Sequence, residues 1–124
     1  MKIIKRKSIR ELKRKQSLVC LTAYTRPIAE LVDEIADIVL VGDSLGQVLY
    51  GFNSTRDVTL DLMILHAKTV CRYARNSFVV VDLPFGTYEN SKEQAYESAK
   101  KIISESGASG IKMEGGECLA STIE

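Results

Sequence analysis

Short apolar runs rich in β-branched residues alternate along the chain with segments of helical periodicity. Four such runs occur, at residues 18–23, 37–42, 78–83 and 109–113. Their apolar residues are continuous and do not alternate with polar ones, which is typical of strands buried on both faces of a parallel sheet. The pattern therefore predicts four buried strands.

Three helical segments separate the strands. Pro27 suits a first helical turn, and the apolar stripe that follows it consists of Ile28, Leu31, Val32 and Ile35. The stripe of the second segment consists of Met63, Ala67, Val70, Cys71 and Ala74. In the third segment, Ser91 and Gln94 have capping-box spacing, and Gly107 is placed to end the helix. Its stripe consists of Ala95, Ala99, Ile102 and Ile103. The order β-α-β-α-β-α-β predicts a parallel sheet covered by helices.

The length of the chain changes this picture. Four strands leave sheet faces and edges that a complete parallel sheet protects. A (β/α)₈ barrel takes about 250 residues, about twice this chain of 124, and the sequence stops a few residues into what should be the next helix. We therefore expect an α/β fold that is the first half of a TIM (β/α)₈ barrel. Residues 1–124 would form one partial domain of about four βα units with an N-terminal helix.

The composition, 45% hydrophobic and 27% charged, is typical of soluble globular proteins. No run approaches the ~18 apolar residues of a membrane span, and the opening residues lack the apolar region of a secretory signal. The three cysteines (Cys20, Cys71 and Cys118) are far apart in the sequence and form no C-x-x-C pair. These features favour a cytoplasmic protein without a disulfide framework, a zinc site or a membrane partner.

The net charge of +1 conceals a basic N-terminus, because residues 1–15 carry eight Lys or Arg against one Glu. Such an arm can bind nucleic acid or direct a protein to an organelle. A solvated amphipathic helix is the simpler interpretation, since Ile4, Ile9 and Leu12 recur at roughly helical spacing. No aromatic residue interrupts the basic run, which weakens the nucleic-acid interpretation further. We predict a basic N-terminal helix or arm and no nucleic-acid partner.

Polar side chains mark the carboxyl ends of the last three predicted strands. Asp43 and Ser44 follow the second strand, Asp82 ends the third, and Lys112 and Glu114 end the fourth. Function collects at this edge in parallel α/β folds, so we expect these groups to converge. Oxygen ligands without His or Cys suit magnesium. Helix-start caps are the alternative, but acids at three successive strand ends beside a lysine favour a site.

Residues 42–46 match the G-x-S-x-G nucleophile elbow and follow a strand, as that motif should. A serine hydrolase would require an acid and then a histidine further along. The only histidine, His66, lies in a helical stretch soon after Ser44 and is expected to be a surface or packing residue. The hydrolase interpretation therefore lacks its parts. Tyr24 and Tyr50 lie near the expected rim, and the sequence leaves a ligand contact open for both.

Five short runs together resemble the ketopantoate hydroxymethyltransferase family. They are LTAY (21–24), LVGDSLG (40–46), NST (53–55), VDLPF (81–85) and KMEGGE (112–117). The runs occur in the order of the family and close to its spacing, and the similarity extends from about residue 8 to the end. VGDSLG and K-x-EGGE are specific as a pair, whereas either alone would be weak.

The resemblance implies a barrel of the phosphoenolpyruvate mutase–isocitrate lyase type. It implies transfer of a hydroxymethyl group from 5,10-methylenetetrahydrofolate to 3-methyl-2-oxobutanoate through a Mg²⁺-stabilised enolate, which yields ketopantoate for pantothenate and coenzyme A biosynthesis. By position, Asp43 and Asp82 would bind magnesium, with Glu114 at or just behind the metal. The keto acid would contact Asp43, Ser44, Asp82 and Lys112. A complete protein would be a homo-oligomer, as in the decameric rings of the family.

The chain departs from the family pattern in two ways. The family usually has Asp where this chain has Thr25, and His-Asp where it has Phe52 and Asn53, which affects expected loop contacts more than the metal site. The glutamate that serves the family as catalytic base belongs to the second half, so we expect no turnover by residues 1–124 alone. Two alternatives remain: a non-catalytic half-barrel that self-associates or binds a partner, and a lyase or mutase of the same superfamily.

Overall fold

Residues 17–124 are described in a computed structural model of the chain, and the basic arm expected over residues 1–15 lies outside them. The strands are β1 (Cys20–Thr22), β2 (Ile38–Val41), β3 (Phe78–Asp82) and β4 (Gly110–Lys112). They form one parallel sheet in the order β1-β2-β3-β4. The prediction of four parallel strands is confirmed, and every strand begins and ends within two residues of its predicted bounds.

The helices are α1 (Arg26–Val32), α2 (Leu45–Tyr50), α3 (Leu60–Tyr73), α4 (Lys92–Ser106) and α5 (Ala120–Ile123), with 3₁₀ turns at Thr55–Asp57 and Glu117–Leu119. Helices α1, α3 and α4 correspond to the predicted segments. Helix α2 was not predicted, because its six residues are too few to show a helical period. Between residues 17 and 124, every helix is too short or too polar to span a lipid bilayer.

The two long helices begin and end where the side chains favour it. Thr59 Oγ1 accepts a hydrogen bond from Leu62 N–H at 3.2 Å, and Ser91 Oγ accepts one from Gln94 N–H at 3.0 Å. Gly107 ends α4 with φ 77°, a left-handed conformation that favours glycine. The predicted cap and stop of α4 are therefore confirmed.

The hydrophobic core lies between one face of the sheet and the helices. In the paired rows of β2 and β3, Val39 is opposite Val79 and Val41 is opposite Val81, and all four are buried. From α3, Met63, Ala67, Val70 and the following Ala74 are buried in the same core, while Cys71 is only partly buried. The predicted stripe of this helix is therefore confirmed at four of its five positions.

The other face of the sheet does not follow the prediction of strands buried on both sides. Cys20 and Thr22 are exposed, and Ile38, Leu40, Phe78 and Val80 are only partly buried. Alternate residues of a strand point to opposite faces, and the helices described between residues 17 and 124 cover mainly one of them. A continuous apolar run therefore indicated a strand correctly, but it did not show that this part of the chain covers both faces.

Two predicted helix stripes need correction. In α1, Ile28 and Leu31 are exposed and the helix ends before Ile35, which is also exposed. Its buried residues are Ala29 and Val32, one turn apart, because this face and not the more apolar one lies against the core. In α4, Ile103 is exposed. Ser98 is buried in that helix and donates a hydrogen bond to the Thr87 carbonyl at 2.7 Å.

Asp33, the residue after α1, anchors the segment that leads into β3. Its carboxylate accepts hydrogen bonds from the backbone N–H groups of Arg75 at 2.9 Å, Asn76 at 3.0 Å and Ser77 at 2.8 Å. The Ser77 hydroxyl donates to it as well, at 2.7 Å. Burial acts to raise the pKa of Asp33, but the hydrogen bonds from Ser77, Asn76 and Arg75 outweigh it, so the pKa lies below the ordinary 3.8.

Asp33→Ala should lower the free energy of unfolding by about 3 kcal/mol at pH 7, because three neighbouring N–H groups lose their acceptor. Urea denaturation followed by circular dichroism measures the change. Glu34→Ala is the matched control, since Glu34 is an adjacent, exposed carboxylate. It should change the free energy by no more than about 0.5 kcal/mol.

The effect of Asp33→Ala should also depend on pH. The pKa of Asp33 is lower in the folded than in the unfolded chain, so its stabilisation is complete above pH 3.8 and is lost as the pH falls through the folded-state pKa. The stability difference between wild type and variant should therefore narrow below pH 3.8. A difference that stayed constant down to pH 2 would contradict the role assigned to the carboxylate.

Candidate functional site

An ion-pair cluster lies at the carboxyl end of β3 and β4. Asp82 and Lys112 are opposite each other in the register of these strands. Lys112 Nζ is 2.8 Å from Asp82 Oδ1 and 2.7 Å from Glu114 Oε1. One ammonium group therefore joins two of the three predicted carboxylates, because parallel pairing brings the strand ends to one edge.

The end of β2 joins the same cluster through its backbone. The N–H group of Asp43 donates to Asp82 Oδ2 at 3.2 Å. Asp82 is 4% exposed. Its Oδ1 contacts Lys112 of β4, and its Oδ2 contacts Asp43, which follows β2. Gly42 allows this approach, since a Cβ there would lie 3.1 Å from Ser44 Oγ and 3.4 Å from Asp82 Oδ2. The structure thus joins the side chains of Asp82, Lys112 and Glu114 and brings Asp43 to them through its backbone.

The cluster carries an excess of negative charge, three carboxylates against one ammonium. Burial raises the pKa of Asp43, and the charges of Asp82 and Glu114 raise it further, against the opposing effects of Lys112 and a hydrogen bond with the Thr55 side chain. Burial acts to lower the pKa of Lys112, but its hydrogen bonds with Asp82 and Glu114 outweigh this and raise it. The negative charge of Asp43 is therefore costly unless a proton or a cation accompanies it.

The predicted metal ligands share one rim but do not form a preformed metal cage. Across residues 17–124, no group of three or more His, Cys, Asp or Glu side chains is arranged to hold a metal ion. The ammonium of Lys112 lies between Asp82 and Glu114 and pairs with both. The oxygen donors of Asp43 and Asp82 nevertheless fit magnesium, which is commonly held by one or two carboxylates together with water and substrate oxygens.

Ser44 belongs to a second hydrogen-bond network on the rim. Its Oγ lies 2.6 Å from the Tyr24 hydroxyl. His66 Nδ1 lies 2.7 Å from the Tyr24 carbonyl and His66 Nε2 lies 2.8 Å from the Tyr50 hydroxyl. A carbonyl only accepts, so Nδ1 donates, and in the neutral ring Nε2 accepts from Tyr50. The expectation that His66 only packs or lies on the surface is therefore incomplete, because it joins the loop after β1 to α2 and α3.

This network bears on the two alternatives to a ligand site. Ser44 precedes α2, but its side chain makes no capping hydrogen bond, so the cap interpretation does not apply to it. Both ring nitrogens of His66 are engaged elsewhere. His66 is therefore not placed as the base for Ser44 that a hydrolase would require.

Tyr88 and Thr55 support the rim, although sequence reasoning did not assign either residue to the site. The Tyr88 hydroxyl donates to the Glu114 carbonyl at 2.9 Å and connects the loops after β3 and β4. Burial raises the pKa of Tyr88. Thr55 forms a side-chain hydrogen bond with Asp43. Tyr88 and Thr55 both lie outside the strands, and contacts between loops leave no regular residue spacing from which they could be predicted.

A cleft of about 390 Å³ opens beside the acidic cluster. The residues around it are Asp43, Thr55, Arg56, Phe85, Tyr88, Glu89, Glu114 and Gly115. Its volume falls in the range of small-molecule sites, about 300–1,000 Å³. The rim therefore adjoins a space of ligand size.

The three positions at which the sequence departs from the family pattern are elsewhere. Thr25 precedes α1 and makes no side-chain capping bond. Phe52 packs against the core, and its ring centroid is 5.6 Å from that of Tyr50. Asn53 is exposed. None of the three lines the cleft.

Comparison with known proteins agrees with the five sequence runs. The family model for ketopantoate hydroxymethyltransferase matches residues 4–124. Proteins named 3-methyl-2-oxobutanoate hydroxymethyltransferase are 55% identical over 116 residues in Agrobacterium fabrum, 53% over 117 in Sinorhizobium fredii and 50% over 117 in Brucella canis. Each alignment covers 94% of this chain and 42% or 43% of the relative, so the chain spans less than half the length of these curated relatives. With nearly every residue inside the family match, the chain belongs to the ketopantoate hydroxymethyltransferase family.

Proposed function

We propose that this chain supplies the metal- and keto-acid-binding half of an enzyme that makes 2-dehydropantoate (ketopantoate). The enzyme transfers a hydroxymethyl group from 5,10-methylenetetrahydrofolate to 3-methyl-2-oxobutanoate. The observation that carries the proposal is the cluster of Asp82, Lys112 and Glu114 beside Asp43 and Ser44. Membership of the family supports the reaction class.

The fold supports the proposal that the chain is half of a (β/α)₈ barrel of the phosphoenolpyruvate mutase–isocitrate lyase type. The strands follow one another in sequence order in a parallel sheet, as they do in the first four units of such a barrel. The partly buried side chains of Ile38, Leu40, Phe78 and Val80 lie on the face that would point into the barrel. Four further strands would bury this face, and the complete protein would assemble as a homo-oligomer.

Asp43 and Asp82 are the residues that would hold magnesium, with Glu114 at or just behind it. The excess of carboxylates supports this assignment, because burial and the neighbouring charges of Asp82 and Glu114 already raise the pKa of Asp43. A bound cation relieves that repulsion. Magnesium supplies Lewis acidity at the keto oxygen, which stabilises negative charge there when the neighbouring carbon loses its proton.

The remaining rim residues bind and orient the keto acid. Lys112 is held from two sides by Asp82 and Glu114, so its positive charge is in place before an anionic substrate arrives. Ser44 is held by Tyr24 and can donate to the substrate carboxylate. The deprotonated C3 carbon of the keto acid then forms a bond to the one-carbon unit of the folate. The two C–N bonds that hold this unit break, water supplies the hydroxyl group, and tetrahydrofolate leaves. We assign the base to no residue between 17 and 124.

The assignment of Asp43 and Asp82 predicts where a divalent ion binds. Mn²⁺ titrated into the ¹⁵N-labelled chain should broaden the amide signals of Asp43 and Asp82 first. Asp82→Asn should weaken this binding by about tenfold or more, because half of the charged donor pair is lost. Asp61→Asn is the control, since Asp61 is a carboxylate with an 82% exposed side chain that pairs with Lys101 and does not line the cleft. The assignment would be contradicted if the first amide signals to broaden belonged to residues elsewhere. It would also be contradicted if Asp82→Asn and Asp61→Asn changed the affinity for Mn²⁺ equally.

The reaction class is tested in a chimaera in which residues 1–124 replace the matching part of the Agrobacterium fabrum relative. In D₂O with Mg²⁺, the chimaera should exchange the C3 proton of 3-methyl-2-oxobutanoate, as followed by NMR. Asp82→Asn should slow this exchange by about 100-fold or more, because Lewis-acid stabilisation is worth several kcal/mol.

Asp61→Asn is again the control and should leave the exchange rate unchanged. Unchanged exchange in Asp82→Asn would remove Asp82 from the site. Turnover of a substrate by C–C cleavage, without exchange at C3, would favour a lyase or mutase of the same superfamily.

A second candidate function, a non-catalytic half-barrel that self-associates, is favoured by the partly buried face and by the edge strands β1 and β4. In this case the 124-residue chain should elute as a dimer or larger species. Size-exclusion chromatography with light scattering measures the mass. A well-folded monomer would exclude this function.

A further inference from the structure

Phe85 lies on the wall of the cleft and is 50% exposed. The guanidinium carbon of Arg56 lies 4.4 Å from the centroid of its ring. Small-molecule sites are typically lined by apolar and aromatic side chains together with a few polar or charged groups. An aromatic ring and a guanidinium in contact on the wall of this cleft are therefore candidates for contact with a ligand.

The loop that carries Phe85 is fixed on both sides of the ring. Thr87 Oγ1 donates to the Pro84 carbonyl at 2.6 Å, and the Glu89 carboxylate accepts from Gly86 N–H at 2.8 Å. Gln94 Nε2 donates to the Gly86 carbonyl at 2.9 Å. Gly86 has φ 86°, a left-handed conformation that favours glycine. The exposure of Phe85 is thus built into a well-bonded loop.

Arg56 is fixed close to the candidate metal ligands. It lies in the turn Thr55–Asp57, and its N–H donates to Ser54 Oγ at 3.2 Å. The preceding residue, Thr55, bonds to Asp43. No carboxylate between residues 17 and 124 forms a salt bridge with Arg56. Its guanidinium therefore lies over the ring of Phe85 without a carboxylate partner among these residues.

The three carboxylates around the cleft already have partners, and that of Asp43 is the side chain of Thr55. Glu114 pairs with Lys112 at 2.7 Å, and Glu89 accepts hydrogen bonds from the N–H groups of Gly86 and Tyr88. Among the residues around this cleft, Arg56 is the one cationic side chain. An anionic ligand that enters here would therefore meet its favourable charge at Arg56.

We propose that Arg56 and Phe85 bind the flat aromatic and carboxylate parts of the one-carbon donor, a reduced folate; the inference rests on the proposed function. A folate ring can stack on the Arg56–Phe85 pair, and its carboxylates match a guanidinium fork. The cleft leads from this pair to Asp43 and Glu114. A donor bound there has its one-carbon unit beside a keto acid at the rim, as the carbon–carbon bond requires.

The test is the affinity of the 124-residue chain for 5-formyltetrahydrofolate, a stable reduced folate, measured by isothermal titration calorimetry. Arg56→Gln should weaken binding by about tenfold, because both the stacking and the ionic contact are lost. Phe85→Leu should weaken it by about three- to tenfold. Arg56→Lys should fall between wild type and Arg56→Gln, since it keeps the charge without the planar fork.

Arg26→Gln is the matched control. Arg26 lies 4.5 Å from the ring centroid of Tyr73 in a similar pair that does not line the cleft, so its loss should leave folate affinity unchanged. Absence of binding by the wild-type chain at millimolar folate would overturn the inference. Equal folate affinities of Arg56→Gln and Arg26→Gln would overturn it as well. So would an Arg56→Gln variant that binds 3-methyl-2-oxobutanoate more weakly but binds the folate as tightly as the wild type.

Failure of this inference is distinguishable from failure of the proposed function. Arg56→Gln should leave the Mn²⁺-induced broadening of Asp43 and Asp82 unchanged, so the folate surface and the metal ligands are tested by separate measurements. If Mn²⁺ bound elsewhere but folate binding still required Arg56, the assignment of Asp43 and Asp82 as metal ligands would be wrong. The assignment of Arg56 and Phe85 to folate binding would still hold.

Discussion

The ion pair between Asp82 and Lys112 is the interaction on which the rest of the rim depends. A carboxylate as buried as Asp82, with 4% exposure, is costly to keep charged without a partner. The register of β3 and β4 supplies the partner, because it sets Asp82 and Lys112 opposite each other. Lys112 Nζ is then 2.8 Å from Asp82 Oδ1. Removing Lys112 would leave Asp82 and Glu114 without their shared cation. Asp43 would then lie beside two unpaired carboxylates. The same ammonium therefore both allows Asp82 to be buried and holds the exposed Glu114 beside it.

Beyond this ion pair, hydrogen bonds join the end of each strand to the end of the next strand in the sheet. The Tyr24–Ser44 bond joins the loops after β1 and β2, and the Asp43 N–H joins β2 to Asp82. The Tyr88 hydroxyl joins the loops after β3 and β4. These loops would otherwise be mobile relative to one another, since loops have fewer packing contacts than strands. Their cross-links orient the rim before any ligand is present, which lowers the entropy lost on binding.

The sequence predicted those parts of the molecule that follow from periodicity. The continuous apolar runs identified β2 and β3, and the strand ends located Asp82 and Lys112. The same runs could not show that one sheet face stays only partly buried, because a strand has the same composition whether or not its own segment covers it. His66 illustrates a second limit, since its contact with Tyr24 spans 42 residues and has no spacing signal. Local patterns thus predict elements and their ends, while contacts between loops require the fold.

The two oxygens of Asp82 divide the rim into unlike halves. Oδ1 faces the ammonium of Lys112, and Oδ2 faces the backbone of Asp43. A 2-oxo acid also presents two unlike oxygen groups, a carboxylate and a ketone, so in the proposed function it can meet an ammonium at one end and a metal at the other. The pKa of Asp43 is raised by burial and then by the charges of Asp82 and Glu114, and Asp43 lies on the Oδ2 side of the rim. In the proposed function, a bound cation would relieve the repulsion that makes the charge of Asp43 costly in the protein alone.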